Sequence, residues 1–384
     1  FKRSYLQLDT SYSQGYSEPS ANKMSGSRNH FFGRYDLDFS NDPSYYSKLS
    51  LKFERVSNDT YLKIHDINTA LVKSENNILN NEINYSYEKD DLYFNISGSA
   101  HEDLSKSNHT RYEYFLPNIS YGQSLVSSQS FGTLDFRTQA YQTNFNAKTT
   151  NKFFINDFIW NSNSLFTKKG FLNSFEAQVK NANYESENDD DLKSSGGIKQ
   201  LAGVVAFKSR LPMIKESTNF LKTLSPNFMF RYAPGHMRDL STKDVSLNYS
   251  NLFTTNKTSE PDVIETGTTA ILGLDYNIEE KKDSENRKKF SLSLGQALSL
   301  EEYNDLPSQT SLDQKTSDMV GDAILSFSEN NKIEYKFALD HDFNTMNYHE
   351  ISTALTMGKI DFNLDYLEER NHVGNENYVN TGVT

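Results

Sequence analysis

The chain has 384 residues, a formal net charge of −12, no cysteine, and 13% aromatic residues against 36% hydrophobic residues overall. The absence of cysteine excludes a disulfide framework and thiol or thiolate–metal chemistry, and the acidic balance argues against nucleic acid as a main partner. A mean hydropathy of −0.70 would suit a disordered chain, but such chains lack aromatics; the two values together fit β-structure in which every second residue is polar.

No stretch approaches the ~20 consecutive apolar residues of a membrane helix, so any spanning structure must be a closed barrel. Phe1 is not a start methionine and no charged-then-apolar leader follows it. The expectation is a fragment of a longer protein. No internal repeat and no shift of composition marks a second domain, so residues 1–384 read as one incomplete domain.

Taken in order, residues 4–14 alternate loosely and a Ser/Gly/Asn-rich connection follows from Gly15 to Ser27. The next strand sets Tyr35, Leu37 and Phe39 against Arg34, Asp36 and Asp38. Another sets Leu49, Leu51 and Phe53 against Ser50, Lys52 and Glu54. Ser57, Asn58 and Asp59 are turn-formers whose side chains bond nearby backbone. Strands are expected at 60–72, 79–88 and 91–100, the last two joined at Lys89-Asp90. A charged loop over 101–110 precedes a strand containing Pro117, where a bulge is expected because proline cannot donate to a ladder. The stretch 132–163 alternates throughout and holds the single tryptophan, Trp160, near a strand end, where an interfacial aromatic would sit.

Strands at 170–181 and 201–210 flank Tyr184 to Gly197, which reads as a long solvent loop. Further strands are expected at about 226–234, 244–253, 264–277, 289–300, 318–328, 332–341, 349–357 and 360–369. The stretch 290–340 is the clearest. Phe290, Leu292, Leu294, Leu298 and Leu300 point one way, and Ser291, Ser293, Gly295, Ala297 and Ser299 the other. Met319, Gly321, Ala323, Leu325 and Phe327 then share a face, and Ile333, Tyr335, Phe337 and Leu339 alternate with Lys332, Glu334, Lys336, Ala338 and Asp340. About nineteen strands result, near the 9–11 residues that a tilted strand needs to cross a bilayer. Short turns such as Lys89-Asp90 and Glu329-Asn330 alternate imperfectly with long loops at 101–110, 182–200, 278–288 and 301–317.

Two solvents ask for this pattern. A soluble sandwich turns its apolar faces inward; an outer-membrane barrel turns them to lipid and keeps a wet interior. Periodicity does not choose between them. The blocks Leu294-Gly295-Gln296, Asn304-Asp305-Leu306-Pro307 and Thr316-Ser317-Asp318-Met319-Val320-Gly321 resemble, in order and spacing, the barrel of the LptD family of lipopolysaccharide-assembly proteins, its alphaproteobacterial members in particular. A second resemblance lies in Arg55-Val56-Ser57-Asn58-Asp59-Thr60-Tyr61-Leu62, although Asn58 separates Ser57 from Asp59, and a third in Pro117-Asn118-Ile119-Ser120. Together the blocks spread from Ser27 to about Asn375.

The resemblance implies an all-β, transmembrane, antiparallel up-and-down barrel of about 26 strands, of which this chain is a part. It implies a place in the outer membrane, lipopolysaccharide as cargo, a plug lipoprotein, LptE, in the lumen, and the bridge protein LptA delivering lipid to a periplasmic jelly-roll. On the same basis the jelly-roll and the closing strands are expected to be missing here. The family's cysteines, where present, lie mainly outside the barrel middle, and none occurs in this chain. Val56, Ser57, Asp59, Tyr61, Pro117, Gly295, Gln296, Pro307, Ser317, Asp318 and Gly321 are the family-signature positions, and Gly295 and Pro117 are places where strand pairing is expected to loosen.

No Gly-x-Ser-x-Gly, His-Glu-x-x-His or phosphate loop occurs, and the eight histidines are scattered, so neither a catalytic site nor a cofactor is expected. The run Asp189-Asp190-Asp191 offers hard oxygen ligands to a divalent cation but lacks the spacing and glycine of a calcium loop, and reads as a solvated loop. Arg34, Lys52, Arg137, Arg231 and Lys336 are placed to attract phosphorylated sugars, or to pair with Asp36, Glu54, Asp135 and Glu334; the pairs are favoured. The competing readings are another outer-membrane barrel, a porin or receptor-type transporter marked by a loop folded into the lumen, and a secreted β-sandwich adhesin.

Overall fold

A computed structural model describes residues 3–16, 26–40, 42–107, 110–145, 148–189, 192, 197–258, 260–281, 288–328, 331–358, 360–370 and 374–383. The strands are β1 (Arg3–Tyr16), β2 (Gly26–Asp38), β3 (Tyr45–Val56), β4 (Ile78–Lys89), β5 (Leu92–Asp103), β6 (Tyr112–Ser128), β7 (Gly132–Phe145), β8 (Thr149–Asn161), β9 (Leu165–Phe166), β10 (Leu172–Glu187), β11 (Ile198–Arg210), β12 (Met213–Glu216), β13 (Phe220–Ala233), β14 (Gly267–Glu280), β15 (Lys289–Ser299), β16 (Met319–Ser328), β17 (Asn331–Leu339), β18 (Met346–Met357), β19 (Ile360–Glu369) and β20 (Asn377–Val383). The helices are single turns, α1 (Tyr61–Ile64) and α2 (Tyr249–Leu252), with a 3-10 turn at Gln309–Ser311. Among the described residues no helix is long and apolar enough to cross a membrane, which leaves strands as the candidates.

The chain divides into two compact units, one of Phe1–Leu125, Asp135–Phe158 and Asn181–Gln200, the other of Val126–Leu134, Ile159–Lys180 and Leu201–Thr384. In the first, β1 to β6 form an antiparallel meander in which each strand pairs with the next. Opposite Pro117 the register slips by one residue between Ser97–Asn118 and Ser99–Phe115, which is the expected bulge. In the second unit β13 to β20 form the same kind of meander, and β11 and β12 both pair with β13.

The registers assign the faces. Met229 lies opposite Ile271, Ile271 opposite Ala297, Gly295 opposite Val320 and Val320 opposite Ala338, so these side chains share one face. Phe230, Tyr232, Leu272, Leu325 and Phe327 stand on the other, each more than a third exposed. A row of exposed aromatic and aliphatic side chains along several strands is an apolar surface that water does not favour. The face alternation read from residues 290–340 is therefore the one observed.

Several expected elements differ. Residues 60–72 do not form a strand: Asn58 Oδ1 accepts from Thr60 N (3.1 Å) and Thr60 Oγ1 (2.8 Å), the chain turns into α1, and the rest is loop. Residues 244–253 are likewise loop and α2, started by Asn248, whose side chain accepts from Asn251 N while the Asn251 side chain accepts from Asn248 N. β14 starts at Gly267, not 264. Tyr184 to Glu187 belong to β10 and not to a solvent loop; Tyr184 stacks on Phe153 (5.5 Å) and Ser186 Oγ donates to Asn151 Oδ1 at 2.6 Å. The short strands β9 and β12 and the strand β20 lie outside the expected elements.

Candidate functional site

The longest connection of the second unit, residues 234–266 between β13 and β14, lies on the polar face of the sheet together with residues 300–318 between β15 and β16. Their Val245, Leu247, Leu252, Leu306 and Leu312 pack in one cluster with Ala206, Met229, Ile271, Ala297, Val320 and Ala338 of the strands. Small floor residues make that approach possible. Gly273 and Gly295 are cross-strand partners; a Cβ on Gly295 would stand 2.6 Å from Leu252 Cδ2, and one on Gly273 2.6 Å from Phe253 Cζ. Gly295 therefore does not loosen the ladder, contrary to expectation: it is paired on both sides and admits α2.

Buried charges fasten loop 234–266. Arg231, fully buried, donates from Nε to Thr255 O (2.6 Å) and from its terminal nitrogen to Glu265 O. Lys257 Nζ meets Glu265 Oε1 at 2.6 Å with both side chains at most 3% exposed. Burial alone pushes the Glu265 carboxyl up, but the Lys257 and Arg231 charges and the hydrogen bonds from Lys257 outweigh it and hold Glu265 below its ordinary range. Arg238 binds Asp262 (2.8 and 3.0 Å) and Glu260 (2.6 Å). Lys180 Nζ reaches Pro261 O at 2.6 Å. Arg231 thus has carbonyls rather than the carboxylate pair expected of it, because a loop lies on that part of the face.

The signature positions of residues 290–321 converge here. Gln296 Nε2 donates to Ser317 O (2.8 Å), Ser317 Oγ accepts from Ala297 N (3.0 Å), and Pro307 is buried beside Leu306. Asp318 accepts from Ser311 Oγ (2.7 Å) and Asn347 Nδ2 (2.9 Å), and burial pushes its carboxyl above the ordinary range. Asp318, Asp340 and His341 place ligand atoms within 4.8 Å of one another, but both Asp318 oxygens are already bonded to side-chain donors. Gly321 is elsewhere, facing Phe337 on the other side of β16, where a Cβ would stand 2.6 Å from the Phe337 ring and from Ser293 O.

In the first unit the block Val56 to Tyr61 fixes residues 57–77. Val56 packs against the Phe32, Tyr61, Leu62, Val72, Leu79 and Leu104 cluster, and Ser57 Oγ accepts from Asn29 N at 2.8 Å. Tyr61 Oη bonds Ser11 Oγ (2.8 Å), Ser11 Oγ bonds His30 Nδ1 (2.7 Å), and His30 Nε2 bonds Asp9 Oδ1 (3.0 Å). No linear signal marks this hydrogen-bonded series, since Asp9, Ser11 and His30 form no motif. Serine, histidine and aspartate are linked here with the two ring nitrogens in the reverse of a hydrolytic triad's order, and the fourth side chain, Tyr61, ties them to the turn that follows β3.

Asp59 forms a two-pronged pair with Arg111 (2.7 and 2.8 Å), which also binds Glu102 at 2.7 Å. The Arg111 hydrogen bonds hold the Asp59 carboxyl below its ordinary value of 3.8. A carboxyl depressed in the folded state adds stability that is present above the unfolded value and lost as pH falls through the folded one. Protection of residues 57–77 from hydrogen exchange is therefore expected to hold at neutral pH and to fall below about pH 4, with Asp59→Asn flattening the profile. A profile unchanged by that substitution would contradict the role of the pair.

Of the favoured charge pairs, Arg34–Asp36 (2.8 Å) and Lys52–Glu54 (2.8 Å) form along single strands, and Lys336 meets both Glu334 (3.6 Å) and Glu350 (3.1 Å). Among the described residues no ion pair joins Arg137 to Asp135. Asp190, Asp191, Glu329 and Asn330 lie outside the described residues, as do His109 and His372; Asp189 accepts from Asn151 Nδ2 at 2.7 Å. Trp160 sits one residue from the end of β8, its Nε1 donating to Phe131 O at 2.9 Å.

Between loop 234–266 and the polar face of β16 to β19 lies a cavity of about 590 Å³, walled by Ser246 to Ser250 on one side and by Asp322, Glu334, Lys336, Tyr348, Glu350 and Glu369 on the other. Its charged side chains are mostly acidic, set among apolar lining that includes Leu247, Phe337 and Leu367.

The family model for LptD, "LPS transport system D", matches residues 27–383. No curated protein matches the sequence. Among solved structures the siderophore receptor PirA from Pseudomonas aeruginosa is similar at 10% identity and a TM-score of 0.42, covering 100% of this chain and 74% of that one. A likeness at that level carries no argument.

Proposed function

This chain belongs to the LptD family, LPS transport system D, and from that premise we propose that the sugar portion of lipopolysaccharide travels along the polar face while its acyl chains leave sideways through a seam in the wall. It is an outer-membrane protein of lipopolysaccharide transport, an all-β chain of antiparallel up-and-down strands of the kind that builds a barrel wall. Both compact units are taken as parts of one barrel domain.

The family match over residues 27–383 carries this reading. The two faces supply its physics: exposed Phe230, Tyr232, Leu272 and Phe327 suit lipid, and the charged face suits a hydrated glycan. The plug lipoprotein LptE belongs in the lumen, and LptA hands lipid to a periplasmic domain of the family; both are proposed as partners on family grounds. The signature residues Gly295, Gln296, Pro307, Ser317 and Asp318 are proposed to build the wall-and-loop assembly rather than to touch cargo. A loop on the polar face also suits a porin or receptor-type transporter, so that feature does not separate the classes, and the family match favours lipopolysaccharide transport. No step requires bond chemistry; the driving energy would enter elsewhere in the pathway.

The test begins with the full-length protein on an unheated gel. A closed barrel needs detergent and migrates faster before heating than after. Depletion in cells is then expected to remove newly made lipopolysaccharide from surface labelling within a few generations. A protein that dissolves without detergent, or depletion that leaves surface lipopolysaccharide normal, would sink the reading.

A further inference from the structure

We propose that the 590 Å³ cavity between loop 234–266 and β16 to β19 is a saccharide subsite that takes an unphosphorylated, amine-bearing sugar. The inference rests on the transport reading above and names the part of the cargo that this site recognises. The volume is within the range of small-molecule sites. Its polar groups are of the kind that grip a sugar: carboxylate acceptors on the strands, and Ser246 with the side-chain amide nitrogen of Asn248 on the loop, where Ser250 Oγ is spent on Asn248 Oδ1.

Charge decides the class. Four carboxylates, Asp322, Glu334, Glu350 and Glu369, face one lysine, Lys336. That lysine is divided between Glu350 (3.1 Å) and Glu334 (3.6 Å), and Tyr348 Oη donates to Glu350 at 2.7 Å. Among the described residues no side-chain donor and no cation binds the carboxylates of Asp322 or Glu369. Their acceptor capacity is unspent. A phosphate would bring a further negative charge among them at a Coulombic cost. An ammonium would form charge-assisted hydrogen bonds with the two free carboxylates, and hydroxyls would complete the set. A bare metal ion fits less well, because the one acidic group compact enough for a single ion among the described residues is Asp318, Asp340 and His341, outside the lining of this cavity. The apolar edge at Leu247 and Leu367 suits the C–H face of a pyranose ring.

The experiment titrates the full-length protein in detergent with three probes, observed by saturation-transfer NMR and calorimetry. They are a glucosamine disaccharide, its N-acetylated form, and glucosamine 1-phosphate. The free-amine disaccharide is expected to bind at least tenfold more tightly than either of the others. Asp322→Asn and Glu369→Gln are each expected to weaken it at least fivefold, with the heat-modifiable migration of both variants showing that the barrel is intact. Equal or tighter binding of the phosphorylated sugar, no binding of any probe, or full affinity in both variants would overturn the subsite. If a variant fails to fold, the ranking of the three probes on the wild-type protein decides alone. Surface labelling after depletion tests the transport reading separately: normal dependence on the protein without sugar binding removes the subsite and leaves that reading standing.

Discussion

Lys257→Met is expected to destabilise the second unit by about 3–5 kcal/mol, the cost of leaving a buried charge without its partner. Lys257 and Glu265 are 1% and 3% exposed and 2.6 Å apart, so water cannot take over the interaction when the ammonium is removed. Arg231 remains near, donating to the Glu265 carbonyl, and its charge will hold the loss toward the lower end of the range. The measurement is the temperature at which the compact gel form is lost, followed together with urea unfolding in detergent. Lys257→Met with Glu265→Leu removes both charges and is expected to recover part of the loss. Full recovery is not expected, because Arg231 would then face carbonyls with no carboxylate near. A single substitution costing under about 1 kcal/mol, in the range of exposed ion pairs, would show that the pair does not fasten the loop.

Gly295→Val is expected to unseat α2. A Cβ at this position meets Leu252 Cδ2 at 2.6 Å and the Leu272 carbonyl oxygen at 2.8 Å, and the second of these is backbone that cannot rotate away. Overpacking of this kind costs about 1–3 kcal/mol, and more where the backbone must shift. Leu252→Ala, at a side chain with no exposure, is expected to cost about 2–5 kcal/mol by leaving a cavity. The two together should cost less than their sum by more than about 0.5 kcal/mol, since each relieves the other's misfit. Strict additivity would mean that Gly295 and Leu252 are not packed as described.

The sequence and structure agree best where the sheet's own two-sidedness is the whole story. In β15 to β17 every second residue was assigned to its observed face, because the strands alternate between an apolar surface and a polar one over their full length. The expected strands at 60–72 and 244–253 failed for a related reason. Val245 and Leu247 alternate because a loop laid on a sheet also buries every second side chain, and the period alone does not tell a strand from a strap. Tyr184 to Glu187 failed in the opposite sense: their polarity read as solvent, whereas Tyr184 and Ser186 are buried against Phe153 and Asn151.

The signature blocks were legible as blocks and their purpose was not. Gly295 read as a weak point in the ladder; it is a seat for Leu252, forty-odd residues away in the chain. Arg231 read as half of a cross-strand pair, and its partners turned out to be the carbonyls of Thr255 and Glu265. The chain from Asp9 through His30 and Ser11 to Tyr61 had no linear trace, because its members come from two strands and a helical turn.

What the sequence determined by itself was the period, and with it the strands, their two faces and, through the spacing of short blocks, the family. These are local quantities: a side chain's direction along a strand follows from the backbone geometry of its neighbours. The tertiary structure alone decided which small residues lie beneath a loop, which buried charges meet, and which carboxylates are left facing a cavity. Those outcomes depend on contacts between segments far apart in the chain, where close packing and the cost of an unpaired buried charge select the partner, and neither leaves a mark at fixed spacing.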